Sequence, residues 1–552
     1  MEDKIFVVAI GGTGMRCLES FVHLCAIGMF DNKEIDILTL DTDQSNGNKK
    51  RVEDLVDHYV RIKTPTGASP ADVGGDPEKD TFFSAKLRLT KYWMNYMDGR
   101  DNFTKLSKIS STSQDSKDLI DLFFDESVQK FNLNHGYRAQ THLGSMLMYH
   151  GIVESAMRVK TNHASVEKVD KDLMDYLTRM VDAKSNAKVF VFGSIFGGTG
   201  ASSIPVLPKA FEDAYNTANS SSTSLQAKFA ASLLTEYFTF KPPTKADKQT
   251  PGNEVIASAN NFTLNSQAAL QFYQNDPTVK ANYKALYHVG WPVTNIDFSE
   301  GKNESATVTG GDKQKNPCHV TELLCAFGAW DFIHNGDAYN EKNAQYLVRS
   351  AEMQNGQFNF DWKDMCDQEK KFKNALAGFY SMSLFTLAYH QGMGDGQEGI
   401  TGWVTRMQKQ GFNMYDNKIS NDEKKDINDY MKKFLFETDG RGGINKGWLY
   451  QIKDSFAGHF LLPESSFPLD LNGIMAVNPG CLLPDDESKW GMSKGGMMGG
   501  PKPKNVADTF DDFIDEFKKE EHHADLSGKT GKEDLLAHMY NTISVKQGII
   551  NK

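Results

Sequence analysis

Lys188-Val189-Phe190-Val191-Phe192 runs through Gly193-Ser194-Ile195-Phe196 into Gly197-Gly198-Thr199-Gly200-Ala201-Ser202-Ser203. An unbroken apolar run of this length predicts a strand covered on both faces. The glycines break it, and a helical pattern follows. The chain opens the same way. Ile5–Ile10 (IFVVAI) meets Gly11-Gly12-Thr13-Gly14-Met15, and a helical spacing of Leu18, Phe21, Val22 and Cys25 follows, ended by Gly28. Ile35–Leu40 (IDILTL) predicts a second strand, stopped by Asp41-Thr42-Asp43. These pieces make a βαβ unit. Further strands are predicted over Lys228–Leu234 and Ala285–Val289, with helices up to about Ala183 and over Val255–Asn275. Strands alternating with helices predict an α/β protein with a doubly wound parallel sheet.

The rest of the chain divides around that frame. Residues 46–130 hold Pro65, Gly67, Pro70, Gly74, Gly75 and Pro77 and read as an insertion, with a helix near Asp115–Phe131. A loop, His135–Gly144, leads into the next helix. A polar loop over 299–316 precedes Pro317, which suits the first turn of a helix. Residues 318–334 are apolar nearly all round, as for a buried central helix. The predicted organisation is a parallel-sheet domain over 1–317, a central helix over 318–335 and a second mixed α/β domain over 336–492. A linker and helical tail follow over 493–552. Phe510, Phe513, Ile514 and Phe517 share one face of the tail helix, for docking on the body or on a partner protein.

Composition bounds the function. The chain has 552 residues, 39% hydrophobic and 24% charged, an ordinary globular balance that excludes disorder throughout. A net charge of −11 argues against direct nucleic-acid binding. No apolar run approaches the ~20 residues of a transmembrane helix, and Met1–Ile5 lacks the pattern of a secretory signal. A cytoplasmic protein is expected. Six cysteines (Cys17, Cys25, Cys318, Cys325, Cys366 and Cys481) contain no Cys-x-x-Cys pair and read as buried positions. No metal-ligand set emerges.

The chemistry lies in the glycine loops. In an open parallel sheet, ligands bind beyond the carboxyl ends of the strands. Glycine there lets the backbone approach phosphates, and the following helix start supplies unpaired N–H groups. One such loop is often only a tight turn. Two nearly identical loops, each between a strand and a helix, point to a ligand. Asp41 at the end of the second strand would suit the ribose of a dinucleotide. However, Cys17 stands where the last glycine of Gly-x-Gly-x-x-Gly belongs. A P-loop needs a lysine after its last glycine, and the chain reads Gly200-Ala201-Ser202. Phosphates would therefore rest on backbone amides and on Thr13, Thr199 and Ser202, with a cation such as Mg²⁺ taking up the remaining charge.

This constellation resembles the tubulin/FtsZ superfamily. Gly197-Gly198-Thr199-Gly200-Ala201-Ser202 is similar to its signature loop, with Ser202 in place of the usual glycine. Gly11-Gly12-Thr13-Gly14-Met15 resembles its first phosphate loop, Leu40-Asp41-Thr42-Asp43 its second, and Ala139-Gln140-Thr141-His142-Leu143-Gly144 its third. The resemblance covers about 1–335 and points to the larger, divergent prokaryotic members. It implies GTP or GDP as ligand. It also implies head-to-tail filaments, with hydrolysis completed at the subunit interface by a loop of the neighbouring copy.

Several residues keep two readings. Asn316 either reads a guanine edge or caps the central helix; Asn260 and Asn261 are further base or ribose candidates. Arg138 either neutralises a phosphate or pairs with a surface acid. Asn359-Phe360-Asp361-Trp362-Lys363-Asp364 has the spacing of the family's catalytic loop, with Asn359, Asp361 and Asp364 as the polar set. The same residues read as one arm of a β-hairpin around Asn355-Gly356. The alternative to a polymerising GTPase is a nucleotide-binding switch or scaffold that acts through a partner. A dinucleotide oxidoreductase is a third reading.

Overall fold

The computed structural model describes residues 3–43, 45–68, 75–94, 102–106, 113–133, 136–137, 139–239, 259–291, 316–339, 352–354, 357–359, 368–394, 418–438, 444–455, 515–519 and 531–546. The protein is α/β. Its centre is a six-stranded sheet of β1 (Lys4–Ile10), β2 (Glu34–Asp41), β3 (Lys86–Trp93), β4 (Ala187–Phe192), β5 (Lys228–Leu234) and β6 (Tyr283–Val289). The order is β3-β2-β1-β4-β5-β6, and every pairing is parallel. The chain builds outward from β1 to β3, then returns past β1 to build the other half.

Burial explains why these strands read as solid apolar runs. On β1, Ile5, Val7 and Ala9 join one core, while Phe6, Val8 and Ile10 join another on the opposite face. The first face is covered by α1 (Gly11–Ala26) and α2 (Gly47–Lys63). The opposite face is covered by α6 (Thr141–Thr161), α7 (Lys168–Asp182) and α9 (Leu207–Asn219), with α8 (Thr199–Ser203) at the strand ends. Three short helices precede α6: α3 (Phe103–Leu106), α4 (Gln114–Phe123) and α5 (Glu126–Lys130). The last two account for the helix expected near Asp115–Phe131.

Residues 46–130 are not simply an insertion. They contain α2 and β3, which belong to the sheet and its covering layer. β3 is an edge strand, and its charges are paired sideways: Arg88 with Asp36 at 3.3 Å and Lys91 with Asp57 at 2.8 Å.

Beyond β4 the chain adds α10 (Phe262–Asn275), α11 (Pro277–Asn282) and the central helix α12 (Val320–Asn335). α12 starts later than expected. Its N-cap is His319, whose ring nitrogen accepts the Thr321 N–H, while Glu322 closes a capping box. Pro317 therefore lies outside the first turn, and Asn316 is not the cap.

The described part of the C-terminal half is helical apart from two small hairpins. It comprises α13 (Glu369–Gly394), α14 (Asn421–Phe434), α15 (Trp448–Ser455) and α16 (Lys532–Lys546). These helices share one continuous core with α1, α2 and α12. Phe83 meets Tyr430 at 4.9 Å, and Phe434 meets Trp448 at 5.7 Å. At the far end of α1, His23 lies 4.9 Å from Trp448. Phe517 in the tail packs on His538 of α16 at 4.0 Å, while Phe510, Phe513 and Ile514 lie outside the described residues. The Thr66 N–H donates to Glu533 at 2.8 Å, fastening α16 to the loop after α2. Glu533→Ala should cost about 1–2 kcal/mol, read as a lower urea midpoint. Cys17, Cys25, Cys318 and Cys325 are free and buried. No described helix is long and apolar enough to cross a membrane.

Candidate functional site

The sheet order reverses between β1 and β4, so a crevice opens at their carboxyl ends. The two Gly-Gly-Thr-Gly loops leave these two neighbouring strands. Gly11, at φ +66°, lies so close to the second loop that a Cβ there would stand 3.1 Å from Thr199 Cβ. A Cβ on Gly14 would stand 2.5 Å from the Phe192 carbonyl oxygen at the end of β4. One on Gly200 would stand 2.5 Å from the Ser194 carbonyl oxygen. These contacts are with backbone, which cannot swing aside. Gly14→Ala and Gly200→Ala should each cost about 1–3 kcal/mol through overpacking, measured by urea unfolding, and should weaken any ligand held by the loops.

Two more segments converge here. A Cβ on Gly136, at φ +83°, would stand 3.5 Å from Thr199 Oγ1 and 3.9 Å from Thr42 Oγ1. Ala139 holds a left-handed φ of +66°, a conformation that strains a residue carrying a Cβ. Ser145, one turn into α6, donates to the Ser202 carbonyl at 2.7 Å and ties the third loop to the signature loop.

Exposure separates lining from packing. Gly12, Thr13, Gly197, Gly198 and Thr199 are partly exposed, while Gly11, Gly14, Met15, Gly200, Ala201 and Ser202 are buried. Ser202 donates to the Thr199 carbonyl at 3.0 Å and packs under Gly144. Its expected place as a phosphate hydroxyl is thus taken by an internal bond. The N-terminal ends of α1 and α6 carry no side-chain cap and no acid in the first turn, which leaves their N–H dipoles open to an anion.

The acid corner is built from the end of β2. Asp41 Oδ1 accepts the N–H groups of Thr42 at 2.7 Å and Asp43 at 3.2 Å. Burial, then the neighbouring Asp43 carboxylate, push the Asp41 carboxyl up to about 7. No group of three or more His, Cys, Asp or Glu side chains that could hold a metal ion gathers among the described residues.

Behind the first loop sits a buried polar lock. Arg16, one turn into α1, makes a two-pronged ion pair with Glu322 of α12 at 2.6 and 3.0 Å. Tyr237 donates to the same carboxylate at 2.7 Å, and the His319 N–H donates to it at 2.9 Å. Burial alone would lower the Arg16 guanidinium. The Glu322 carboxylate outweighs this and holds it well above its ordinary value. Burial, helped by Arg16, lowers His319 to about 3, so its ring stays neutral.

The sequence candidates fall into groups. Gly11 to Met15, Asp41, Thr42, Ala139 and Gly197 to Ser202 come together at the crevice. Asn316 lies beside it. Its N–H donates to Asn48 at 3.1 Å, and its carbonyl accepts from Arg16. Asn260 is exposed at the turn before α10. Arg138, Asp361 and Asp364 lie outside the described residues. Asn359 ends a strand, Gln357–Asn359, that pairs antiparallel with Glu352–Gln354 and sets Asn359 opposite Glu352. That is the hairpin reading of this segment. Sequence reasoning missed the Arg16–Glu322 lock, His319 and Ser145. Nothing local in the sequence marks them. No protein-family profile and no curated protein matches the chain.

Proposed function

We propose that the chain binds a nucleotide through its glycine-loop crevice, with GTP or GDP as the ligand, in the manner of the tubulin/FtsZ superfamily it resembles. One observation carries this reading. Two Gly-Gly-Thr-Gly loops leave adjacent strands at the reversal of the sheet, close enough that a Cβ on Gly11 would press on Thr199. The backbone amides of Gly12 and Thr13 and of Gly198 and Thr199 would cradle the phosphates. The hydroxyls of Thr13 and Thr199 would add hydrogen bonds to charged oxygens. Asn316, whose backbone is held by Asn48 and Arg16, would meet the base end of the ligand.

Head-to-tail assembly follows as part of the same proposal, with α12 as the link to a second α/β unit. A heterologous contact of this kind grows open filaments. The segment that would complete hydrolysis begins at Asn359, the last residue of a hairpin strand. The second reading, a non-polymerising switch or scaffold, draws on the C-terminal helices, which share one core with α1.

Titration of the protein with GTP, GDP, ATP and NAD, followed by sedimentation and phosphate release, tests the proposal. Guanine nucleotides should bind in the micromolar range or tighter. Thr13→Ala combined with Thr199→Ala should weaken binding at least tenfold, since a hydrogen bond to a charged group contributes about 1.5–3 kcal/mol. Filaments that form only with GTP support the polymer. Tight binding without filaments at any concentration supports the switch. Preference for NAD would sink both.

A further inference from the structure

Asp41 and Thr42 close β2 at the crevice, each 2% exposed. One Asp41 oxygen is occupied by two backbone N–H groups. The other, Oδ2, and the adjoining Thr42 hydroxyl are both buried without a hydrogen-bond partner. Orphaned buried polar atoms are disfavoured unless something supplies their bonds. A Cβ on Gly136 would stand 3.9 Å from Thr42 Oγ1 and 3.5 Å from Thr199 Oγ1, so Thr42 lies beside the point where the loops meet.

The charges around the corner are specific. Asp43 stands next to Asp41, and its Oδ1 accepts from Ser45 at 3.0 and 2.8 Å. From α2, Lys49 is held by Glu53 at 2.5 Å and lies 5.6 Å above the Trp93 ring of β3. Glu53 also accepts from Thr39 at 2.6 Å. Gly11 to Gly14 and Gly197 to Ser202 contain no ionisable side chain. Asp41 makes no ion pair among the described residues. An ionised Asp41 would therefore add a second negative charge beside Asp43 and repel an anionic ligand.

We propose that Asp41 serves the crevice as a neutral carboxylic acid. Its Oδ2 takes a proton from solvent and donates a hydrogen bond to a phosphate oxygen, with the Thr42 hydroxyl beside it. Ligand capture then takes up close to one proton at pH 8, and no covalent bond is made or broken. The proposal rests on the nucleotide reading and says how the site accepts the ligand's charge without a cation held by the protein. Burial and Asp43 already place the free carboxyl near 7, and the bound phosphate anion would raise it further.

Calorimetric titration with GDP, and separately with inorganic pyrophosphate, tests this. The full chain and Asp41→Asn are compared at pH 6 and pH 8, in two buffers of different ionisation enthalpy, with EDTA and with Mg²⁺. The amide donates as the neutral acid does and does not titrate. The ligand's own protonation is common to both proteins. Wild-type affinity should fall about tenfold more than the variant's from pH 6 to pH 8. Proton uptake at pH 8 should be seen in the wild type and be absent from Asp41→Asn, which still binds. Equal pH slopes would overturn the proposal. So would proton release with Mg²⁺-dependent affinity that rises with pH, or loss of binding in a folded Asp41→Asn, since each requires a carboxylate. If the wild type binds neither probe at either pH, the nucleotide reading itself fails.

Discussion

Glu322→Ala is expected to destabilise the protein by about 3–5 kcal/mol, because it strands the buried Arg16 guanidinium. The pair is 2% and 0% exposed and joins α1 to α12. Tyr237 and the start of α12 lose their acceptor in the same step. Attraction between buried ions barely offsets their desolvation, so the penalty comes from leaving one partner alone. Arg16→Met combined with Glu322→Leu should therefore be much milder than Glu322→Ala. Urea midpoints of the wild type and both variants decide it. A single variant within about 1 kcal/mol of the wild type would mean that water reaches the guanidinium.

Asp41→Asn should make the ligand-free protein more stable at pH 8, by on the order of 4 kcal/mol. The sign follows from the carboxyl being pushed up to about 7 in the fold from its ordinary value of 3.8. Below the unfolded value both states hold the proton, and the two proteins should match. Between the two values the folded state holds a proton that the unfolded chain releases. Stability is lost progressively as pH rises through 7, then levels off. The asparagine variant lacks this slope. The other titrating groups are common to both proteins, so the difference between their urea midpoints from pH 4 to pH 8 isolates Asp41. A constant difference across that range would show that Asp41 is ionised throughout.

Much of the sheet was legible in the sequence for a physical reason. β1, β2, β4 and β5 are covered on both faces, and full burial leaves a continuous apolar run. β3 (KLRLTKYW) was lost in the supposed insertion because charges break its apolar run. Lys86, Arg88 and Lys91 alternate with apolar residues there, and with no other strand signal nearby the segment resembled loop. The glycine loops were legible because backbone crowding forces glycine at Gly14 and Gly200 whatever lies around them. Arg16 and Glu322 were not. They are 306 positions apart, and nothing local marks a side chain whose partner arrives with a different helix. The start of α12 was misplaced for a related reason. Pro317 looked like a first-turn residue, but a neutral histidine and a reaching glutamate formed the cap two positions later.

The reversal of strand order also fixes a timetable for biosynthesis. β1 leaves the ribosome well before its partner β4, which begins at Ala187. At about 5–20 residues per second, roughly 10–40 s separate the two. Through that interval one edge of IFVVAI lacks its partner strand, and half of the crevice does not exist. A nascent chain of this design invites chaperone protection, and extra chaperone supplied during synthesis should raise the soluble yield.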